Sequence, residues 1–326
     1  MTPHSTTMEA TLTNQVRVSV ITSISQGARD YQEDAVGSWS GEGLGEVFAV
    51  VADGAGGHGG GAEASQATIA SAASSWKKRC AGSPTSGDDF LSNWMADAHG
   101  AVVEESKRIE RSARACVVAC VVGQKAVHWV HAGDSRLLRF HDGRLVERTR
   151  DDSVVQVLFE RGDITEDEMG THPDQARLLQ SLGGEDPPRP RTGHAPLVVG
   201  DALLLCSDGF WEHLKPAELE KLVATPAARR QQALDDAVAE SVRRGGERAD
   251  NATAVMILLE GQENRLENAI RWFLFLLCFV LIVSILNKCA ADAGFSIQLD
   301  NVIKSLGFDP PSLSPAALPT PAKYSP

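Results

Sequence analysis

The sequence predicts an α+β fold in which antiparallel sheets pack face to face beneath covering helices. Three observations lead to that class. Strand-like runs succeed one another between residues 115 and 147, and two helical stretches stand as a pair between residues 62 and 111. His141-Asp142-Gly143 adds a hairpin signal between two of the runs. These features argue against the alternating strand–helix order of a parallel sheet.

In chain order, residues 1–14 are polar and Thr-rich and read as a flexible N-terminus. Residues 16–24 alternate Val16, Val18 and Val20 with polar or smaller partners, as a strand does. Residues 46–52 (EVFAVVA) are a short apolar run ending at Asp53-Gly54, a buried strand that opens into a Gly-rich loop. Residues 62–78 and 90–111 are rich in Ala with charges on one side, and read as helices. Strands follow over 115–122, 126–131 and 136–140, the last turning into 144–147. Residues 153–182 are polar and irregular, with short helical stretches. Apolar strands at 202–206 and 252–259 enclose a helix over 231–244.

A length of 326 residues allows two domains, or one large domain with an appendage. Hydrophobic residues at 43% and charged residues at 23% make most of the chain globular. The net charge of −12 leaves no basic footprint for a nucleic-acid backbone, so a nucleic-acid partner is excluded. Six cysteines without a C-x-x-C give no zinc or disulfide framework and suit a reducing cytosol. The first twenty residues carry no signal-peptide pattern.

The last 60 residues or so differ. Residues 272–286 (WFLFLLCFVLIVSIL) are uncharged and flanked by Arg271 and Lys288. At 1.5 Å per residue this run reaches about 22 Å, and about 27 Å once residues 269–271 are added, against a hydrocarbon core of about 30 Å. The run is hydrophobic all round, so we expect a transmembrane helix over 269–286 rather than a buried core helix. The tail 287–326, Pro-rich at its end, would lie across the membrane. Arg265 and Arg271 on the amino side fit a cytoplasmic catalytic domain in a single-pass inner-membrane protein.

Four acidic clusters stand at strand ends or in the following loops: Glu33-Asp34, Asp53-Gly54, Asp208-Gly209 and Asp250-Asn251. A single loop aspartate is usually a turn former. Here Asp53 follows VFAVVA and Asp208 follows ALLLCS, so each carboxylate ends an apolar strand. Glycine after each lets the backbone approach closely through its tolerance of positive φ. Converging carboxylates with few histidine or thiolate partners suit hard divalent cations such as Mg²⁺ or Mn²⁺. The DGAGGHGGG stretch lacks the Lys-Ser/Thr of a P-loop and the G-x-G-x-x-G context, which removes a nucleotide-binding reading.

Six segments occur in one order: RDYQED (29–34), DGAGGH (53–58), AGDSR (132–136), TRDDS (149–153), SDG (207–209) and DNAT (250–253). Together they resemble the metal-dependent protein serine/threonine phosphatases, the protein phosphatase 2C or PPM family, in its bacterial form. The resemblance implies an αββα sandwich of two central antiparallel sheets flanked by helices. The phosphatase domain would span 15–262, with a flap at about 153–182. By motif, Asp53 would bridge two metals and the Gly54 carbonyl would bind one of them. Asp208 and Asp250 would hold the other, and Asp134 would help bind a third. Glu33 and Asp34 would orient metal-bound waters, and Arg29 would grip the substrate phosphate. The implied reaction is hydrolysis of phosphoserine and phosphothreonine monoesters by a water bridging two Mn²⁺ or Mg²⁺ ions, opposing a Ser/Thr kinase.

This sequence departs from the family at three places. Ala55 stands where some eukaryotic members carry histidine, so the proton for the leaving alkoxide is assigned to metal-bound water, with His58 the weaker alternative. Asp152 replaces a common histidine, and Arg114 to Cys116 replace a small Thr-rich segment. Cys116 and Cys120 share a strand face and read as core packing. His128 and His131 face opposite ways and are poor joint ligands. A membrane-tethered signalling adapter with weak catalysis is the alternative reading; it should have lost Asp53, Asp208 or Asp250, and none is lost. A small-molecule phosphohydrolase is a third.

Overall fold

A computed structural model describes residues 4–13, 16–41, 43–55, 59–82 and 85–261, together with 273–275, 277, 279–280 and 282–284. The chain divides into two units, Met1–Gln262 and Glu263–Pro326. In the first, a six-stranded sheet runs in the order β1 (His4–Thr13), β2 (Val16–Ser25), β11 (Ala252–Gly261), β10 (Ala202–Cys206), β7 (Arg136–His141), β8 (Arg144–Arg148). A five-stranded sheet runs β3 (Asp34–Gly41), β4 (Glu46–Ala55), β5 (Arg114–Val122), β6 (Ala126–Ala132), β9 (Arg191–Pro196). All neighbouring strands are antiparallel.

The apolar runs are continuous because both faces of the central strands are buried. On β4, Phe48, Val50 and Ala52 point to the helices α1 (Gly61–Ala81) and α2 (Gly87–Ile109), while Val47, Ala49 and Val51 point between the sheets. On β11, Val255, Ile257 and Leu259 face the inter-sheet core. Its Ala254, Met256 and Leu258 face α5 (Pro216–Val223) and α6 (Arg230–Gly245). The period of two thus feeds three apolar layers at once, and the result is helix, sheet, sheet, helix. The hairpin between β7 and β8 turns at Asp142 and Gly143 with φ of 47° and 73°, the positive pair that a two-residue turn of this hand requires.

Within the stretch 1–14 expected to be flexible, the described residues His4–Thr13 form an edge strand paired with β2 from His4↔Ile24 to Thr13↔Val16. Leu12 is buried in the inter-sheet core, and Met8 and Ala10 pack against it. The threonines that made the segment look loose are β-branched and favour a pleated surface, with Thr6 and Thr22 hydroxyls bonded at 2.6 Å. Strands β3 and β9 and helix α5 are further additions to the expected elements. The segment 153–182 contains helix α3 (Val154–Arg161) and a 3₁₀ turn at Glu166–Thr171.

In the second unit, the described residues of the apolar run are helical, and Phe273, Leu274, Phe275, Val280 and Ile282 are exposed. No helix among the described residues is long and apolar enough to cross a membrane. The remainder of the expected span 269–286, and the tail 287–326, lie outside the described residues.

Candidate metal centre

At one end of the sandwich β4 and β10 finish, β3 and β11 begin, and β6 turns into β7. The register sets Asp34 opposite Asp53, and Asp53 opposite Cys116. Helix α4 (Asp208–Trp211) starts directly beyond β10. Carboxylate oxygens of Asp53, Asp134 and Asp208 lie within 4.8 Å of one another. Residues 81 and 155 positions from Asp53 thereby reach one point.

The glycines beside these aspartates matter for approach, and neither takes a positive φ. A Cβ on Gly209 would lie 2.3 Å from the Asn251 carbonyl oxygen and 3.0 Å from the Asp250 Cβ. The loop after β10 can therefore lie against the loop before β11 only without a side chain there, and this brings Asp250 beside Asp208. A Cβ on Gly54 would lie 2.1 Å from the Gly61 carbonyl, where β4 meets the start of α1.

The electrostatics are those of crowded anions. Burial first, then the charges of Asp208, Asp34 and Asp134, push the Asp53 carboxyl well above its usual range. Burial, then the charges of Asp208 and Asp151, push Asp134 up to about 8. Asp250 is raised by burial and by Asp208, with Arg29 opposing. Glu33 is raised mainly by burial. An all-oxygen set whose members repel one another when ionised is what a hard divalent cation relieves, so the residues fit Mn²⁺ or Mg²⁺.

Asp34 stands behind this group and is clamped. The Ser207 hydroxyl donates to its Oδ2 at 2.8 Å and the Thr253 hydroxyl at 2.6 Å. Burial outweighs those two bonds and lifts its carboxyl to about 7. Asn251 is a staple: its Oδ1 accepts from the Glu33 N–H at 2.6 Å, and its Nδ2 donates to the carbonyls of Gln26 and Tyr31. It fixes the loop that carries Arg29, whose half-exposed guanidinium pairs with the Asp250 carboxylate. Arg29 and Asp250 thus stand at the rim, and Asp250 is turned toward Arg29 rather than into the close trio.

Asp134 is held by two direct contacts, one of them braced from behind. The Trp211 indole donates to its carbonyl at 3.0 Å. Arg136 lies 3.3 Å over the Trp211 ring and grips buried Asp151 through Nε and Nη2 at 3.0 and 2.7 Å. The Cys116 thiol bonds the Asp134 side chain, and burial plus the charges of Asp134 and Asp53 raise its pKa well above the ordinary thiol. Core packing describes Cys120, which sits between the sheets, but it understates Cys116. Asp152 is buried and paired with Arg191 at 2.6 Å. His128 bonds Asp88 and His131 bonds the Arg150 carbonyl, so the two diverge. His58 lies outside the described residues.

Sequence reasoning missed Glu212, Asn251, Ser207, Thr253 and Gln175. Glu212 is pushed up to about 9 by burial and then by Asp208, Asp134 and Asp250. Its signal was its place one helical turn after Asp208. Gln175, from the segment 153–182, donates to Asp208 Oδ2 at 3.0 Å.

Comparison with known proteins agrees with this geometry. A family model described as Protein phosphatase 2C matches residues 24–242. The serine/threonine phosphatase stp of Listeria innocua is 28% identical over 215 residues, 65% of this chain and 84% of that protein. The S. agalactiae serine/threonine phosphatase structure superposes with a TM-score of 0.63 at 26% identity, covering 74% of this chain and 99% of the other. The catalytic domain of the serine threonine protein phosphatase PstP, solved in complex with 2 manganese ions, gives 0.62 at 25% identity over 75% of this chain and 99% of its own.

Proposed function

The chain belongs to the protein phosphatase 2C family, and from that premise we propose that it is a metal-dependent serine/threonine protein phosphatase, a hydrolase of phosphoprotein monoesters that opposes a Ser/Thr kinase. The observation that carries this is the meeting of Asp53, Asp134 and Asp208 within 4.8 Å at the mouth of the two sheets.

Asp53, the Gly54 carbonyl, Asp208 and Asp250 would hold two Mn²⁺ or Mg²⁺ ions, with Asp134 serving a third. Such ions lower the pKa of water and neutralise phosphate charge in an in-line displacement. The chain's own part is placement. Ser207 and Thr253 fix Asp34 behind the cluster, and Asn251 fixes the Glu33 backbone. Arg29 at the rim offers two parallel N–H donors to a phosphate. Hydrolysis of phosphoserine, phosphothreonine and phosphotyrosine peptides, measured in parallel with Mn²⁺ and with chelator, tests the reading. Full turnover in excess chelator after dialysis, or no release from phosphoserine and phosphothreonine peptides with Mn²⁺, defeats it.

We further propose that the apolar run over 269–286 anchors the enzyme to the inner membrane, with the catalytic unit in the cytoplasm. Its support is the uncharged stretch 272–286, whose described helical residues expose Phe273, Leu274 and Phe275. Fractionation of the full chain and of residues 1–262 checks it. The full chain is expected with membranes and the shorter one in solution. Recovery of both in solution overturns the anchor.

A further inference from the structure

We propose that a cavity beside the catalytic carboxylates is a subsite for an acidic group, a carboxylate or a second phosphate, on the phosphopeptide being hydrolysed; this rests on the phosphoprotein reading above. The cavity is about 910 Å³ and takes Ala55, at the end of β4, as part of its wall. Arg111, Arg114 and Arg189 line it, and Asp186 is the acidic residue among the described lining. The three arginines come from separate places: the turn after α2, the first position of β5 and the segment before β9.

These guanidinium groups are gathered in a way that others among the described residues are not. Most arginines elsewhere are matched with carboxylates, as Arg79 with Glu46, Arg136 with Asp151, Arg148 with Glu166 and Arg191 with Asp152. Arg161, Arg229 and Arg248 also lack an ion pair among the described residues, but none of them lines this cavity. Arg111, Arg114 and Arg189 have no ion pair among the described residues. A protein of net charge −12 with abundant carboxylates leaves three cations unmatched around one hollow. Guanidinium is the group best shaped for carboxylate and phosphate oxygens.

Register gives the distance to the catalytic centre. Arg114 stands opposite Ala55, and Cys116 stands opposite Asp53. Two residues of strand separate the levels of Asp53 and Arg114, about 7 Å. Alternation puts Arg114 on the same side of β5 as Cys116, Val118 and Cys120, the side that faces the cleft between the sheets. Arg111 is tied to the same loop system, since a Cβ on Gly59 would lie 3.0 Å from its Nη1. An extended peptide covers the same distance in about two residues. An acidic group two or three positions from the phosphorylated residue would therefore reach the arginines while the phosphate sits at the carboxylate cluster.

The test uses the full chain with Mn²⁺ and four substrates. Three are phosphothreonine peptides of one length: a neutral one, one with Asp or Glu two and three positions to either side, and one with a second phosphothreonine there. The fourth is p-nitrophenyl phosphate, too small to reach the cavity. The wild type should favour one or both acidic peptides by roughly tenfold in kcat/KM, the worth of one charge-assisted hydrogen bond. The triple variant Arg111→Gln, Arg114→Gln, Arg189→Gln should lose that preference and keep its p-nitrophenyl phosphate turnover. The carboxylate and phosphate arms show which source is read. Equal rates on all three peptides, or a preference that survives the triple variant, overturn the subsite and leave the phosphatase reading standing. Mn²⁺-dependent turnover of p-nitrophenyl phosphate with no peptide hydrolysed overturns both.

Discussion

Phe48 and Asp53 sit on the same strand, yet the two ends of β4 are built on opposite principles. Phe48 stacks with Trp39 and Trp76 at 5.5 and 5.4 Å and meets Phe90 and Trp94 edge-on at 5.2 and 5.4 Å. Arg79 lies over Phe90 at 4.9 Å and is itself satisfied by Glu46. The rings there are packed once the chain has folded, although the indole N–H groups of Trp76 and Trp94 are buried without a hydrogen-bond partner. Asp53, at the other end, faces Asp34, Asp134 and Asp208, and its ionised form is disfavoured by all of them. One end is completed by folding and the other only by cations. Stability and chemistry are thus separated along one strand.

The largest effect is expected from Phe48→Ala. It removes the ring at the centre of four aromatic contacts and should cost about 3–5 kcal/mol, read as a fall in the urea midpoint. The molecules still folded should keep their turnover. Asp208→Asn is the mirror case. Turnover should fall about a hundredfold if Asp208 is the metal ligand proposed above. Its melting temperature in chelator should hold or rise, since one of the repelling charges is gone. A metal-free Asp208→Asn protein as unstable as Phe48→Ala would erase the distinction.

Acidity sharpens the same contrast. The folded chain lifts Asp34 to about 7 and Asp134 to about 8, far above an ordinary aspartate. Between about pH 4 and these values the folded form holds protons that the unfolded chain has released. In chelator the melting temperature should therefore fall as pH rises through that window. Apparent Mn²⁺ affinity should rise over the same range, because the ions displace those protons. Parallel melting curves and titrations from pH 5 to 8 check both slopes. Gln175→Ala is the smallest step: it removes one part-buried bond to Asp208 and should cost about 1 kcal/mol.

The chemistry was legible where it followed an apolar run. VFAVVA before Asp53 and ALLLCS before Asp208 announce both the buried strand and the carboxylate at its end. What holds those carboxylates was not legible. Ser207 and Thr253 meet Asp34 across 173 and 219 residues of chain, and a hydroxyl's partner depends on which strands become neighbours. Arg136 in the AGDSR segment gave no hint that it would reach Asp151 and the face of Trp211 together. The first strand was misread because threonine counts as polar in composition and as a strand former in geometry. Strands β3 and β9 were missed for a related reason: Gly37, Gly193 and Pro196 interrupt their patterns, yet the strands either side of the turns supplied the pairing.

The order of the six-stranded sheet has a consequence for the making of the protein. Strand β11 lies between β2 and β10, so the last strand of the unit to be synthesised joins its first hairpin to the rest. Before residues 252–261 leave the ribosome, Asp34 has no Thr253 and the Glu33 backbone has no Asn251. Translation at about 5–20 residues per second therefore leaves these contacts unmade for more than about ten seconds. A chain that terminates before β11 lacks Thr253 against Asp34 and leaves β2 and β10 without the strand that joins them.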